Sequence, residues 1–452
     1  MAVDLHAALQ AWIHPEEAVG RKQPDPIKAA VPFFFALMFL ELSISTLMGK
    51  KVYNLRQTIS NLSAGVLLTF CAVFLKAMFI FPYAWLRERV AIVPDAAEYT
   101  TLHHILGFLF VDHAYYWFHR TAHMSNLGWA GHVTHHSSCD YNFSTALRQG
   151  VGESTYSWLY YLYLAPFAPL EVFTLHKGVN TVIQFWVHTE MIPKLWAPIE
   201  FIFNTPSHHR VHHARNYGRA NFGGSLIIWD RIYGSFEGEE DARPCIYGLD
   251  NRRVPTGTYD PLWQQAHHLV ASLRLAASDP RHAASALLTR RYGPGMVIPA
   301  IVDAKPGAAV PAASDGLDRD PRRPNGWFPW EQRALGALDW YAAFHLFAVI
   351  VPGGLILAEA APAMTPAQVI LAFGAAIASL VTAVGVVDAS RAALQRELAR
   401  LAAVAVLAPA LADPLRILSA TQVRAFMAVL ALSALVVLRQ LSTLPAAKAK
   451  AA

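Results

Sequence analysis

Residues 110–136 read FVDHAYYWFHRTAHMSNLGWAGHVTHH, an apolar and aromatic run that leads into five closely spaced imidazoles, His119, His123, His132, His135 and His136. The first half predicts the end of a helix emerging from a bilayer. Along that helix Asp112, Tyr116, His119 and His123 follow steps of four, three and four residues and therefore form one stripe. His132, His135 and His136 stand at i, i+3 and i+4, again one helical face. Histidine is the commonest neutral metal ligand and the side chain most easily retuned near neutral pH, so the cluster asks for a metal or a proton relay.

The spacing returns downstream as HRVHH, residues 209–213, which supplies His209, His212 and His213. Between the two motifs FWVHTE places His188 at the end of a long apolar stretch. A lone histidine in such a chain is more often an interfacial or core residue than a ligand, but HxxxH followed by two HxxHH motifs reverses that expectation. Nine imidazoles exceed what one tetrahedral or octahedral ion needs and suit two ions with four or five ligands each. Imidazole accepts iron, zinc or copper, so the ligand type leaves the element open. Asp112, deep in an apolar helix, needs a partner, and a metal-bound imidazole N–H that it would orient is the natural one. His208 reads as a polar neighbour of the last motif. His103, His104, His267 and His268 read as interfacial, and Tyr115, Trp117, Tyr160, Tyr161 and Trp186 as membrane-belt and packing residues.

Outward from the histidines, the chain of 452 residues is 54% hydrophobic, 12% aromatic and only 15% charged, too apolar for a set of soluble domains. Apolar runs at 30–48 and 62–86, with more beyond residue 333, predict an all-α, polytopic membrane protein with about seven to nine crossings. No small-residue cleavage site follows the first run, which is therefore expected to remain as a span. Three scattered cysteines offer neither a disulfide framework nor a CxxC zinc site. A net charge of +5 without a basic run interleaved with aromatics argues against nucleic acid as a partner.

The organisation expected is an N-terminal segment with two transmembrane helices (1–100), a histidine-bearing catalytic region (101–270), a linker (271–330) centred on the Pro- and Gly-rich stretch 304–326, and C-terminal transmembrane helices (331–452). Basic residues in KKVYNLR (50–56), in DRDPRR (318–323) and at Arg391, Arg396 and Arg400 fall on one side, which the positive-inside rule makes cytoplasmic; RKQPDPIK (21–28) opposes this for the first span. Residues 154–187 are long enough to enter the bilayer and return, kinked at Pro166 and Pro169, which brings His188 to the same face as His119. GGSLIIWDRIYGSFEGE (223–239) reads as an amphipathic interfacial helix. No haem, flavin or dinucleotide module is visible; GPG at 293–295 lacks the flanking strand of a nucleotide fingerprint.

With HRTAH, HVTHH, HTE and HRVHH in place, the chain resembles the fatty-acid hydroxylase and sterol desaturase superfamily of membrane enzymes. DHAYYWFHRTAH, WAGHVTHHSSCDYNFSTALRQ, QFWVHTEMIPKL and FNTPSHHRVHHARN narrow the resemblance to that superfamily's ether-lipid monooxygenases, over roughly residues 28–270. The resemblance implies a non-haem di-iron centre on the cytoplasmic face, held by His119, His123, His132, His135, His136, His188, His209, His212 and His213. It also implies O2 as co-substrate, a membrane lipid as substrate, and tetrahydrobiopterin or another separate electron donor. Met124 stands where those enzymes carry Glu, and ARNYGRANFGG (214–224) is shorter than its counterpart. Sterol, carotenoid or fatty-acyl hydroxylation or desaturation is the alternative within the superfamily. A metal transporter would instead line several spans near mid-bilayer with its ligands.

Overall fold

A computed structural model of the chain describes residues 5–20, 23–94, 99–249, 258–278, 287–288, 334–415 and 420–444. The expected linker core at 304–326, with DRDPRR, lies outside the described residues. The chain divides into two compact units, Met1–Gly257 with Gln265–Glu331, and Thr258–Gln264 with Gln332–Ala452.

In the first unit, Asp25 caps helix α1 (Pro26–Leu47) by accepting from the Lys28 amide at 2.9 Å, and Pro26 supplies a first-turn residue that needs no donor. Asn54 caps α2 (Leu55–Leu75) in the same way through the Arg56 amide. Helix α3 (Ala77–Val90) follows almost directly. Helix α4 (Thr101–Met124) carries the first histidines, and Ser125 both ends it and caps α5 (Asn126–His132) through the Gly128 amide at 2.9 Å. Beyond a 3-10 turn at His135–Ser137 come a 3-10 stretch at Ser157–Leu164 and helix α6 (Leu170–Phe185), broken from each other around Pro166 and Pro169 as the prolines predict. Helix α7 (Pro206–His213) holds the last motif, and α8 (Ile228–Ile232) is a single turn.

The second unit is helical as well: α9 (Ala337–Ala363), α10 (Pro366–Asp388), α11 (Arg391–Leu415) and α12 (Ala420–Thr443). Its interior holds a paired charge, Arg400 donating to Glu397 Oε2 at 2.8 Å, and His345 lies 2.9 Å from Ser433 Oγ. Among the described residues no strand forms; Phe203 and Leu226 make an isolated bridge.

Five helices among the described residues are long and apolar enough to cross a membrane: α1, α2, α9, α10 and Thr421–Thr443 within α12. That multi-pass character agrees with the composition, but the number is below the seven to nine counted from apolar runs. The difference has a physical cause. The apolar run of helix α4 is broken by Asp112 and its histidines, the last turn of α3 carries Arg87, Glu88 and Arg89, and residues 154–187 split into two short pieces. On α1, Phe39 is 72% and Leu47 87% exposed, an apolar face that fits lipid rather than water.

Two spans hold the histidine region in place. Glu41, on the buried side of α1, accepts from Tyr53 Oη at 2.6 Å, from the Phe143 amide at 2.9 Å and from Thr189 Oγ1 beside His188. Arg148 donates to Ser60 Oγ on α2 at 2.7 Å and to the Thr134 carbonyl at 2.8 Å, between His132 and His135. Gly65 lets α2 approach closely, since a Cβ there would stand 2.5 Å from the Leu147 carbonyl oxygen.

Candidate metal centre

All nine histidines of the three motifs and HTE come together in two buried groups, and within each group the candidate ligand atoms lie within 4.8 Å of one another. His119, His123, His132, His136 and His212 form one; His135, His188, His209 and His213 form the other. Each HxxHH motif is divided between them. His132 and His136 join the first group while His135 joins the second; on α7, His209 and His213 join the second while His212 joins the first. The division follows one pattern in both motifs, i and i+4 in one group and i+3 in the other, although HRVHH lies on the continuous helix α7 while HVTHH passes from the end of α5 at His132 into a 3-10 turn at His135 and His136.

The inner nitrogens approach closely. His119 Nε2 and His136 Nε2 each lie 3.0 Å from His132 Nε2, and His188 Nε2 lies 3.2 Å from His135 Nε2 and 3.1 Å from His209 Nε2. The outer nitrogens decide what these contacts are. Nδ1 of His119, His135, His188 and His212 face the carbonyls of Phe222, Arg148, Gln184 and Ala220 at 2.8–2.9 Å, and His132 Nδ1 faces the carboxylate of Glu153. A neutral imidazole has one N–H, and here it is committed outward. In the pairs His119–His132 and His135–His188 two bare lone pairs therefore face each other, an arrangement that needs a cation between them. A proton is opposed by the surroundings: burial, reinforced by His132, pushes His135 down to about 4, and burial with the neighbouring imidazoles holds His136, His209 and His213 well below the ordinary value. A metal ion fits, because ligand nitrogens about 2.1 Å from one ion stand about 2.9–3.4 Å apart across tetrahedral or octahedral edges.

Asp112 departs from its expected role. It is fully buried, but it accepts from the amides of Ser225 at 2.7 Å and Leu226 at 3.1 Å, from Trp229 Nε1 at 2.9 Å and from Asn180 Nδ2, none of them an imidazole. It fastens α4 to residues 224–229. The stretch 223–239 is correspondingly more than an interfacial helix: its Asp230 holds the Phe222 and Gly223 amides at 2.7 Å, and just before it Phe222 and Ala220 supply carbonyls to His119 and His212. The carboxylate on an imidazole of the two groups is Glu153, which sequence reading missed; its signal lay in the glycines of GH (131–132) and GVGE (150–153). Trp129, also missed, packs its ring 5.1 Å from His123 and 5.3 Å from His136. Tyr115, expected in the membrane belt, has its ring 5.2 Å from His119. His208 belongs to neither group and pairs with Glu200 at 2.9 Å. His267 and His268 are buried rather than interfacial, and His104 pairs with His176 at 3.1 Å.

Two buried histidine groups in a chain with membrane-length helices define the class, and residues 104–235 match the model of the family described as Fatty acid hydroxylase. The chain is 45% identical to human alkylglycerol monooxygenase over 251 residues, 54% of each protein, so it spans about half the length of that relative. Against the alkylglycerol monooxygenases of Xenopus tropicalis and Danio rerio it is 34% identical over 78% of this chain and 75% of the relative, and 40% identical over 55% of each. The chain belongs to the alkylglycerol monooxygenase family. No solved structure matches it.

Proposed function

We propose that the protein is a membrane di-iron monooxygenase that cleaves the O-alkyl ether bond of alkylglycerol lipids. The observation that carries this reading is the pair of imidazole groups with inner lone pairs facing each other, in a chain whose relatives bear the name alkylglycerol monooxygenase. His119, His123, His132, His136 and His212 would hold one iron ion and His135, His188, His209 and His213 the other. Iron bound there would supply the activation of O2 that an unactivated C–H bond requires.

The chain's own part is positioning. Nine neutral imidazoles bring no net charge, and the carbonyls of Phe222, Arg148, Gln184 and Ala220 fix five-membered rings that would otherwise turn. Trp129 and Phe222 cover His123 and exclude water from it. Overall, O2, two electrons and two protons convert the carbon next to the ether oxygen to a hemiacetal with release of water. The hemiacetal then collapses to fatty aldehyde and glycerol or its derivative. The electrons come from tetrahydrobiopterin or another external donor, as the family resemblance implies.

Iron-loaded protein given a 1-O-alkylglycerol, 18O2 and a tetrahydropterin should release the matching long-chain aldehyde, with label in the aldehyde before exchange with water. A reduced ferredoxin or cytochrome serves as the second donor arm. Alkylglycerol left untouched with every donor, while a sterol or acyl chain is hydroxylated, would replace this substrate with the superfamily alternative.

We also place the centre on the cytoplasmic face, with KKVYNLR beside α2 as the supporting basic segment. After removal of the three native cysteines, Lys50→Cys and Leu127→Cys should both react with a membrane-impermeant maleimide from the cytoplasmic side of sealed vesicles. Labelling of the two from opposite sides would refute the shared face.

A further inference from the structure

His132 occupies the most crowded point of the five-imidazole group, with its Nε2 3.0 Å from Nε2 of both His119 and His136. Its outer nitrogen differs in partner from those of His119, His135, His188 and His212. Theirs meet backbone carbonyls, which carry partial charge; that of His132 meets the Glu153 carboxylate.

The contact is built by the backbone. A Cβ on Gly150 would stand 1.6 Å from the Gly131 carbonyl oxygen, one on Gly152 2.9 Å from Gly131 Cα, and one on Gly131 2.9 Å from the Glu153 amide nitrogen. Three glycines thus let two backbone segments touch where no side chain fits. The touching segments end in His132 and Glu153, so closing the glycine contact delivers the carboxylate to the ring.

We propose that Glu153, delivered by the contact of Gly131 with Gly150 and Gly152, makes the two ion positions unequal, so that the five-imidazole position fills first and holds its ion more tightly. The proposal rests on the dinuclear reading above. A carboxylate on the outer N–H strengthens the inner nitrogen as a donor and adds a negative charge near that ion. The four-imidazole group has His135 and His188 anchored on the neutral carbonyls of Arg148 and Gln184. Glu153 is a positioning residue that acts through His132, and losing such a partner costs roughly 10–100-fold in metal affinity.

Stepwise binding of Co(II) to the purified full chain, followed by its visible absorption against a competing chelator, tests this. The parent should show two separable steps, with His212→Ala removing the tighter. Glu153→Gln should weaken the tighter step by roughly 10–100-fold and leave the second within about threefold. Gly152→Ala keeps the carboxylate but pushes the segments apart, and it should move the same step in the same direction. Glu153→Gln weakening both steps equally, or neither, would overturn the proposal. So would two equal steps in the parent, a result that needs no variant to fold. One ion per chain at saturation in the parent would instead overturn the dinuclear reading itself.

Discussion

Alanine at His213 should reduce monooxygenase activity to background and lower the metal content of purified protein. His213 Nε2 lies 3.2 Å from His209 Nε2, and its ring stacks on that of His136 at 4.2 Å between centroids, across the boundary between the two groups. Removing the ring deletes one donor from a four-imidazole group and opens a space against the other group. His136→Ala should behave alike from the opposite side, since His136 Nε2 lies 3.0 Å from His132 Nε2. Metal analysis and the aldehyde assay check both. Full activity in either variant would end the dinuclear assignment. His208→Ala, which breaks the pair with Glu200 and touches neither group, should be milder.

Asp112→Ala should prevent accumulation of folded protein rather than merely slow the reaction. The side chain is fully buried and accepts four hydrogen bonds, from Ser225, Leu226, Trp229 and Asn180. Removing it strands four buried donors at about 1–3 kcal/mol each, a total comparable with the about 5–15 kcal/mol that holds an ordinary domain together. Asp112→Asn keeps one oxygen acceptor and should survive with a lowered thermal midpoint. Tryptophan fluorescence of detergent-solubilised protein during heating reads both. An Asp112→Ala protein that melts like the parent, keeps its metal and lacks only activity would return Asp112 to the chemistry.

These two cases mark how far the residues could be read before the fold was known. His213 was legible because ligand chemistry demands a particular residue type, and HxxHH occurring twice in an apolar chain has few other uses. Asp112 was legible as a buried carboxylate in need of partners, but its partners lie 68 and more than 110 residues away, on segments that no periodicity connects to α4. The carboxylate that does meet an imidazole of the two groups, Glu153, lies 21 residues from His132 and reaches it because three glycines let two backbones touch. Periodicity also assumed that HVTHH continues a helix. The chain tightens into a 3-10 turn after His132, yet HRVHH on the continuous helix α7 is divided in the same way, so one-face spacing did not reveal that each trio serves two groups. The spans on α1 and α2 were legible from apolar length alone, whereas the shorter and charged helices around the centre are not among the five candidates of the described residues.

The division of each HxxHH motif between the two groups makes the centre indivisible. Had one motif served one group, either half could be deleted, transplanted or redesigned as a module, leaving a working remainder. Here HVTHH and HRVHH are interlaced like the two threads of a lockstitch. Excising either motif strips donors from both groups, and any displacement of α7 is felt on both sides at once. A chain truncated between the motifs loses His212 from one group and His209 and His213 from the other, so neither group survives whole.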